Sequence, residues 1–195
     1  MQGDEIYTDT GKEELIENGA GLLFDNFMEI CLFRHSIRKY SSQVIDDQLI
    51  DNILKAVQSA PSAGNLQAFE IVMAKDPSIR KSLAGAALGQ SFVAKAPVVL
   101  VFLALPGVSS RRYGGRGANL YCLQDATIAC TYAMLAASAL GLSTAWVGAF
   151  RDNEVRDILN IGEDRFPIAL LTLGYRDEEP HSTPRRPVQK IAWEI

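Results

Sequence analysis

The feature that most constrains this chain is an apolar, alanine-rich segment, residues 126–142, which carries no charged side chain. It falls short of the roughly 20 residues that a membrane span needs, and it contains Thr127, Thr131 and Tyr132. A helix that is apolar on all faces has to be covered on all faces. The segment therefore predicts a long central helix, from about Leu120 to Leu140, that ends at Gly141.

The rest of the chain mixes helix and strand patterns. The run APVVLVFLA, residues 96–104, predicts a central strand covered on both faces, and further strands are predicted over 69–74, 144–150 and 168–173. Helices are predicted near 24–32, after Asp46 as N-cap, from Pro77, and over 153–159. The glycine- and arginine-rich residues 109–117 predict a loop. Because strands and helices do not strictly alternate, the expected fold class is α+β.

Size and composition favour one water-soluble domain. With 195 residues, 48% of them hydrophobic, the chain can bury one core, and we expect a single domain over residues 22–195 after a flexible arm at 1–21. A net charge of −4 argues against nucleic-acid binding. The three cysteines and two histidines form no disulfide or metal-ligand pattern. The polar start lacks a signal peptide, which predicts a cytoplasmic protein without membrane association.

A short basic segment is the first candidate site, formed by Arg34, Ser36 and Arg38. In extended backbone, residues two apart point to the same side, so two guanidinium groups and a hydroxyl can converge on a phosphate. A solvated basic loop after a helix explains the same residues, because positive charge is favourable there. The segment alone favours this second interpretation.

A run of small residues, PSAGNLQ at 61–67, is the second candidate. Small side chains let the backbone approach a planar ligand, while Asn65 and Gln67 offer donors and acceptors. The composition is also typical of an ordinary connection between a helix and a strand.

Two later segments complete the set. The predicted strand end at Trp146, Val147, Gly148 and Ala149 offers a backbone N–H that no side chain obstructs, although a core strand ending in a turn has the same pattern. In the tail, prolines flank the pair Arg185-Arg186. Extended, proline-restricted backbone can close such a pair over a phosphate, and the alternative is a disordered tail.

The order and spacing of these segments resemble the nitroreductase family of FMN-dependent enzymes. The resemblance runs from about Phe33 to Pro187 and rests on RHSIRKY, APSAGNLQAF, the block from YCLQDATIAC to STAWVGAF, PIALLTLGY and a late RRP. It implies a central, mostly antiparallel β-sheet flanked by helices, with the long helix at a homodimer interface. It also implies FMN sites shared between the two subunits, with NADH or NADPH as electron donor.

The resemblance assigns roles to the candidate residues. Contacts to the FMN phosphate and ribityl chain fall to Arg34, His35, Ser36 and Arg38, and a return to the phosphate falls to Arg186 and Arg185. The isoalloxazine ring is lined, across the dimer, by Pro61, Ser62, Ala63, Asn65 and Gln67. The strand end of Trp146, Val147, Gly148 and Ala149 faces flavin N5, with the contact assigned to Gly148. No side chain is assigned as a catalytic acid or base, and no metal is expected.

The chain departs from the family pattern in two places. Gln67-Ala68-Phe69 stands where the family commonly has Gln-Pro-Trp, and the segment between Ala104 and Tyr121 is short for the helical lid of some members. The expected reaction is ping-pong hydride transfer from NAD(P)H to a small planar acceptor, such as a nitroaromatic or a quinone. The segment with Arg111, Arg112, Tyr113 and Arg116 is the candidate for the acceptor side, because its arginines could attract an anionic substrate or the phosphates of the nicotinamide cofactor. A mobile, solvated loop explains the same residues at least as well. Reductive dehalogenation, flavin cleavage and non-catalytic flavin binding remain alternatives.

Overall fold

The computed structural model describes residues 25–195, which divide into two compact units between Arg34 and His35. In the first unit, residues 25–33 form helix α1, as the apolar spacing near 24–32 predicts. The flexible arm expected at residues 1–21 lies outside the described residues. The expectation of one domain over 22–195 stays a prediction.

The second unit is built around a four-stranded sheet with the strand order β1-β2-β4-β3. Each pair of neighbouring strands is antiparallel, which confirms the predicted α+β class and sheet type. The strands are β1 (Phe69–Ala74), β2 (Val98–Ala104), β3 (Ser143–Val147) and β4 (Phe166–Gly174). Every residue of β2 is buried, as the continuous apolar run at 96–104 predicts.

Helices cover both faces of this sheet. They are α2 (Asp47–Gln58), α3 (Pro77–Ala86), α4 (Phe92–Lys95), α5 (Pro106–Arg116), α6 (Cys122–Ala139) and α7 (Asp152–Leu159). Side chains alternate along β2, so Leu100 and Phe102 join the core with α2 and α6. Val99 and Val101 join a second core with α3, α4 and α7. The long apolar helix is thus central, as predicted.

Two sequence predictions of secondary structure are wrong. Residues 109–117 lie mostly in helix α5, which begins with a proline at its first turn; the serines, glycines and arginines leave no apolar periodicity to reveal it. Gly114 (φ 55°, ψ −141°) breaks this helix, and a π-helical turn, Gly117–Tyr121, then leads into α6. Strand β3 ends at Val147, not at Phe150, so residues 148–150 leave the sheet.

Between residues 25 and 195, no helix has both the length and the apolar character needed to cross a membrane.

Candidate functional site

Residues 36–40 form an extended segment beside β3. Ser36 bridges Thr144 in parallel orientation, and the N–H of Ile37 donates to the carbonyl oxygen of Thr144 at 2.9 Å. Ile37 is buried, while its neighbours Ser36 and Arg38 are exposed. The structure thus places the Ser36 and Arg38 side chains on one outward side of the segment, as extended backbone requires.

Tyr40 fixes this segment to the sheet. Its buried hydroxyl donates to the carbonyl oxygen of Ile37 at 2.6 Å and lies 2.6 Å from Thr172 Oγ1. Thr172 Oγ1 also accepts the N–H of Ala145 at 3.0 Å, which ties the segment to both β3 and β4. Burial raises the pKa of the Tyr40 phenol, so the hydroxyl stays protonated and keeps its role as donor.

The Glu178 carboxylate already accepts hydrogen bonds from the backbone N–H groups near the end of this segment. Glu178 Oε1 accepts the N–H groups of Arg38 and Lys39 at 2.5 and 3.1 Å. The backbone there is satisfied within the chain. A ligand at this place would therefore be held by the side chains of Ser36 and Arg38.

Residues at the start of α4 contact both the segment after β3 and Arg38. Gln90 Nε2 donates to the carbonyl oxygen of Ala149 at 3.2 Å, and the Arg38 guanidinium lies 5.8 Å from the centre of the Phe92 ring. Gly148 is exposed, and a Cβ added to it would meet only the Trp146 side chain, no closer than 3.6 Å. The backbone of Gly148 is therefore open to approach from outside.

The 61–67 loop precedes β1 and contains three residues with left-handed backbone. These are Gly64 (φ 58°), Asn65 (φ 56°) and Gln67 (φ 49°). Ser62 Oγ accepts the N–H of Gln67 at 3.0 Å, and Gln67 Nε2 donates to Asn65 Oδ1 at 3.4 Å. Left-handed φ is costly for residues other than glycine, so such a loop persists only where its surroundings hold it.

Two helices hold the 61–67 loop. From the inside, the buried carboxylate of Asp125 on α6 accepts the N–H of Ala63 at 2.9 Å and that of Ala68 at 3.4 Å. From the outside, Arg112 on α5 donates to the carbonyl oxygen of Gly64 at 3.3 Å. Asp125 is not among the residues predicted from the sequence, where its signal is a single charge within an otherwise uncharged helix.

The segment proposed for the acceptor side thus lies against the 61–67 loop. Arg116 Nε donates to the hydroxyl of Tyr121 at 3.0 Å, and the Tyr113 and Tyr121 rings meet edge to face, 5.1 Å between centres. No acidic residue occurs between Leu105 and Gln124, so the three arginines create a positive local potential. A groove of about 600 Å³ runs beside the loop, lined by Pro61, Ser62, Ala63, Tyr121, Leu123, Gln124, Asp125, Thr127 and Ile128.

Within one chain, the two groups of candidate residues lie at opposite edges of the sheet. The 61–67 loop leads into β1, whereas residues 36–38 and 146–149 belong to the β3 edge. Three strand spacings, about 14 Å, separate β1 from β3.

Four predicted residues remain: Arg34, His35, Arg185 and Arg186. Arg34 belongs to the first unit, where its N–H donates to the carbonyl oxygen of Ile30 at 3.0 Å. His35 is half-buried at the start of the second unit. Arg185 and Arg186 are exposed in the tail, and the Arg186 guanidinium donates to the carbonyl oxygen of Lys190.

Comparison with known proteins identifies the family to which this architecture belongs. The pattern of the nitroreductase family matches residues 32–104 and 86–175. The chain belongs to the nitroreductase family. Among its relatives, the NADH dehydrogenase of Thermus thermophilus is 32% identical over 187 residues, covering 82% of this chain and 91% of the relative. The FMN reductase (NAD(P)H) of Bacillus subtilis is 31% identical over 169 residues, covering 80% and 68%.

Solved nitroreductase-like structures agree with this assignment. The NADPH:FMN oxidoreductase of Vibrio harveyi, complexed with NAD+, superposes with a TM-score of 0.79 at 27% identity, covering 87% of this chain and 76% of that one. The relatives with named activities are oxidoreductases that use nicotinamide cofactors. This nitroreductase-family chain is therefore an oxidoreductase.

Proposed function

We propose that this member of the nitroreductase family binds FMN and transfers hydride from NADH or NADPH to a small planar acceptor, such as a nitroaromatic or a quinone. The observation that carries the proposal is the pairing of exposed Ser36 and Arg38 side chains with the open backbone of Gly148, on one edge of the sheet. The chemistry that FMN supplies when bound is hydride acceptance and donation in two successive half-reactions.

The residues at the β3 edge fit the two ends of FMN. Arg38 carries a guanidinium and Ser36 a hydroxyl, and both groups donate to phosphate oxygens. Gly148 and Ala149 are small and exposed, so their backbone can approach a planar ring. Gln90 and Phe92 keep the cationic and the small residues side by side. The work of this edge is to bind and orient the cofactor.

The 61–67 loop supports a homodimer in which each site is built from two chains. Strand β1, into which the loop leads, lies three strand spacings, about 14 Å, from β3, which favours a ring that receives the loop from a second chain. A second copy, related by two-fold symmetry, would bring its loop to the first copy's β3 edge. In this arrangement the partner chain's loop lines the flavin ring, and we assign this contact to Pro61, Ser62, Ala63, Asn65 and Gln67. We also propose further contacts to the FMN phosphate from Arg34, His35, Arg185 and Arg186.

The acceptor side is proposed to be formed by α5. Its Arg112 contacts the 61–67 loop, and Arg111, Arg112 and Arg116 together would attract the phosphates of a nicotinamide cofactor or an anionic acceptor. Replacing Arg111 by Gln should raise the KM for the anionic substrate several-fold and leave kcat nearly unchanged, because Arg111 is exposed and would act on encounter. Steady-state kinetics at two ionic strengths test this, and a KM insensitive to both charge and salt would contradict it.

An absorbance spectrum of the purified protein tests the proposed function directly. We expect a flavin spectrum that bleaches when NADH or NADPH is added without oxygen and returns when a quinone follows. Flavin that stays oxidised with both donors would favour a non-catalytic flavin-binding protein. A colourless protein that does not take up added FMN would refute the assignment.

One matched pair of variants and one single variant test the site residues. Arg38→Ala should lower FMN affinity by about tenfold or more. Arg156→Ala removes a half-buried arginine that also stacks on a phenylalanine, 5.4 Å from the centre of the Phe166 ring, and should not. Gly148→Ala has internal room for its methyl group, so it should leave the unfolding temperature of the FMN-free protein unchanged while weakening FMN binding. Wild-type FMN affinity in both Arg38→Ala and Gly148→Ala would show that the cofactor lies elsewhere.

A further inference from the structure

The carboxylate of Asp125 is held in an unusual place. It is the only charged side chain of α6, and only 2% of the residue is exposed. A buried carboxylate loses its hydration and is stable only where other donors replace water. Here the donors are backbone N–H groups: Oδ1 accepts from Ala63 at 2.9 Å, and Oδ2 from Ala68 at 3.4 Å. Its two oxygens are thus divided between the two ends of the 61–67 loop.

The backbone between those two donors is strained. Asn65 and Gln67 have φ values of 56° and 49°, and left-handed backbone costs a residue other than glycine roughly 1 kcal/mol or more. Bonds inside the loop, such as that from Gln67 N–H to Ser62 Oγ, do not connect it to the rest of the protein. Asp125 makes that connection from the core, at both ends of the strained stretch.

We propose that Asp125 is a positioning residue: its carboxylate fixes both ends of the 61–67 loop in the shape in which the loop meets the flavin ring. The second half of this inference rests on the proposed function, since it assumes that the loop lines the ring. Asp125 acts through Ala63 and Ala68 and does not touch the cofactor. The free loop is therefore already in its binding shape, so FMN does not have to order it.

The Asp125→Asn variant tests this arrangement. An amide of the same size keeps one acceptor oxygen but turns an NH₂ group towards one of the two N–H donors. We expect hydrogen exchange of the FMN-free protein to become at least tenfold faster over residues 60–69 and not over β2. The dissociation constant for FMN should rise about tenfold, while kcat at saturating FMN changes less. As a control, Cys130→Ala lowers stability within the same helix and its core, and should alter neither loop exchange nor FMN affinity.

The outcomes separate this inference from the proposed function. Wild-type exchange over 60–69 together with wild-type FMN affinity in Asp125→Asn would overturn the positioning role. If that variant does not fold, Asp125→Ser offers a neutral replacement, and the wild-type protein gives an independent reading. Without FMN, the amides of Ala63 and Ala68 should exchange as slowly as those of α6, and fast exchange there overturns the proposal. A wild-type protein that binds no FMN refutes the proposed function, while the exchange comparison still decides whether Asp125 fixes the loop.

Discussion

At the scale of single residues, Gly64 is required both by its backbone conformation and by the close approach of side chains from α5. Its φ of 58° favours glycine, and a Cβ there would lie 2.4 Å from the Tyr113 hydroxyl oxygen and 2.8 Å from Arg112 Nη1. The loop and α5 can approach each other this closely because no side chain separates them. A methyl group would force one of the two to move.

The Gly64→Ala variant should therefore lose both stability and cofactor affinity. Gly141→Ala is its matched control, since Gly141 also has a left-handed φ, 76°, but nothing lies within 4 Å of the added Cβ. Both variants should lose about 1 kcal/mol of unfolding free energy from backbone strain. Only Gly64→Ala should also weaken FMN binding, as measured by flavin titration. Equal FMN affinities in the two variants would contradict a role of the α5 contact in shaping the loop.

Residue-level prediction from the sequence succeeded where the signal was local. Asp46 caps α2, as predicted, by accepting the N–H of Gln48 at 2.8 Å. Ser36 and Arg38 are exposed on either side of the buried Ile37, and the convergence of Arg34, Ser36 and Arg38 on one target stays a prediction. The contact of Asp125 was not predicted, because its partners are the backbone N–H groups of Ala63 and Ala68, more than 50 residues away in the sequence. No local pattern encodes such a contact. Only the fold brings the acid under the loop.

At the scale of secondary-structure elements, the cap at the N-terminus of α3 makes a pH-dependent contribution to stability. The Asp76 carboxylate caps this helix, accepting the Ser78 hydroxyl and the N–H groups of Ser78 and Ile79, and these bonds hold its pKa below the ordinary value of 3.8. A lowered pKa in the folded state means that the stabilisation is present above the unfolded value and lost as pH falls through the folded value.

Asp76→Asn should reveal this dependence. Asparagine caps helices about as well as aspartate but does not titrate. At neutral pH the wild type should be the more stable protein, and its advantage should shrink as the pH falls from ~5 to ~2. Chemical unfolding of both proteins across that range checks it. An advantage that stays constant down to the lowest pH would show that the cap does not titrate with folding.

Elements were predicted from the sequence to the extent that they bury an apolar face. Strand β2, buried along its whole length, and helix α6, which packs against the central core, were evident; the expected cover on all faces of α6 is wrong for a single chain, where Gln124, Thr127 and Tyr132 are exposed. Helix α5 was not, because it has one buried residue, Ser109, and its glycines and arginines are typical of loops. The end of β3 was placed three residues late for a related reason: Gly148, Ala149 and Phe150 continue the apolar run after the pairing with β4 has stopped.

At the scale of the whole molecule, the proposed site requires two chains. Large apolar side chains in the tail are exposed in a single chain, among them Val188 (71%), Ile191 (59%) and Trp193 (83%). Sedimentation should give a particle of twice the 21.3 kDa chain mass. On dilution, FMN should dissociate together with the dimer, because in the proposed site each chain supplies only part of the contacts. A monomer that retains FMN would contradict a shared site.

The extended segment at residues 36–40 has a consequence beyond ligand binding. It pairs with β3, the strand at one border of the sheet, through the Ser36–Thr144 bridge and the bond from Ile37 to Thr144. An uncovered border strand offers its backbone to strands of other molecules and promotes aggregation. A charged residue in place of Ile37 would disrupt the pairing of this segment with β3. We therefore expect such a variant to aggregate before its turnover falls. The segment that contains Ser36 and Arg38, the residues proposed to bind a phosphate, thus also covers part of the β3 edge and reduces pairing with other molecules.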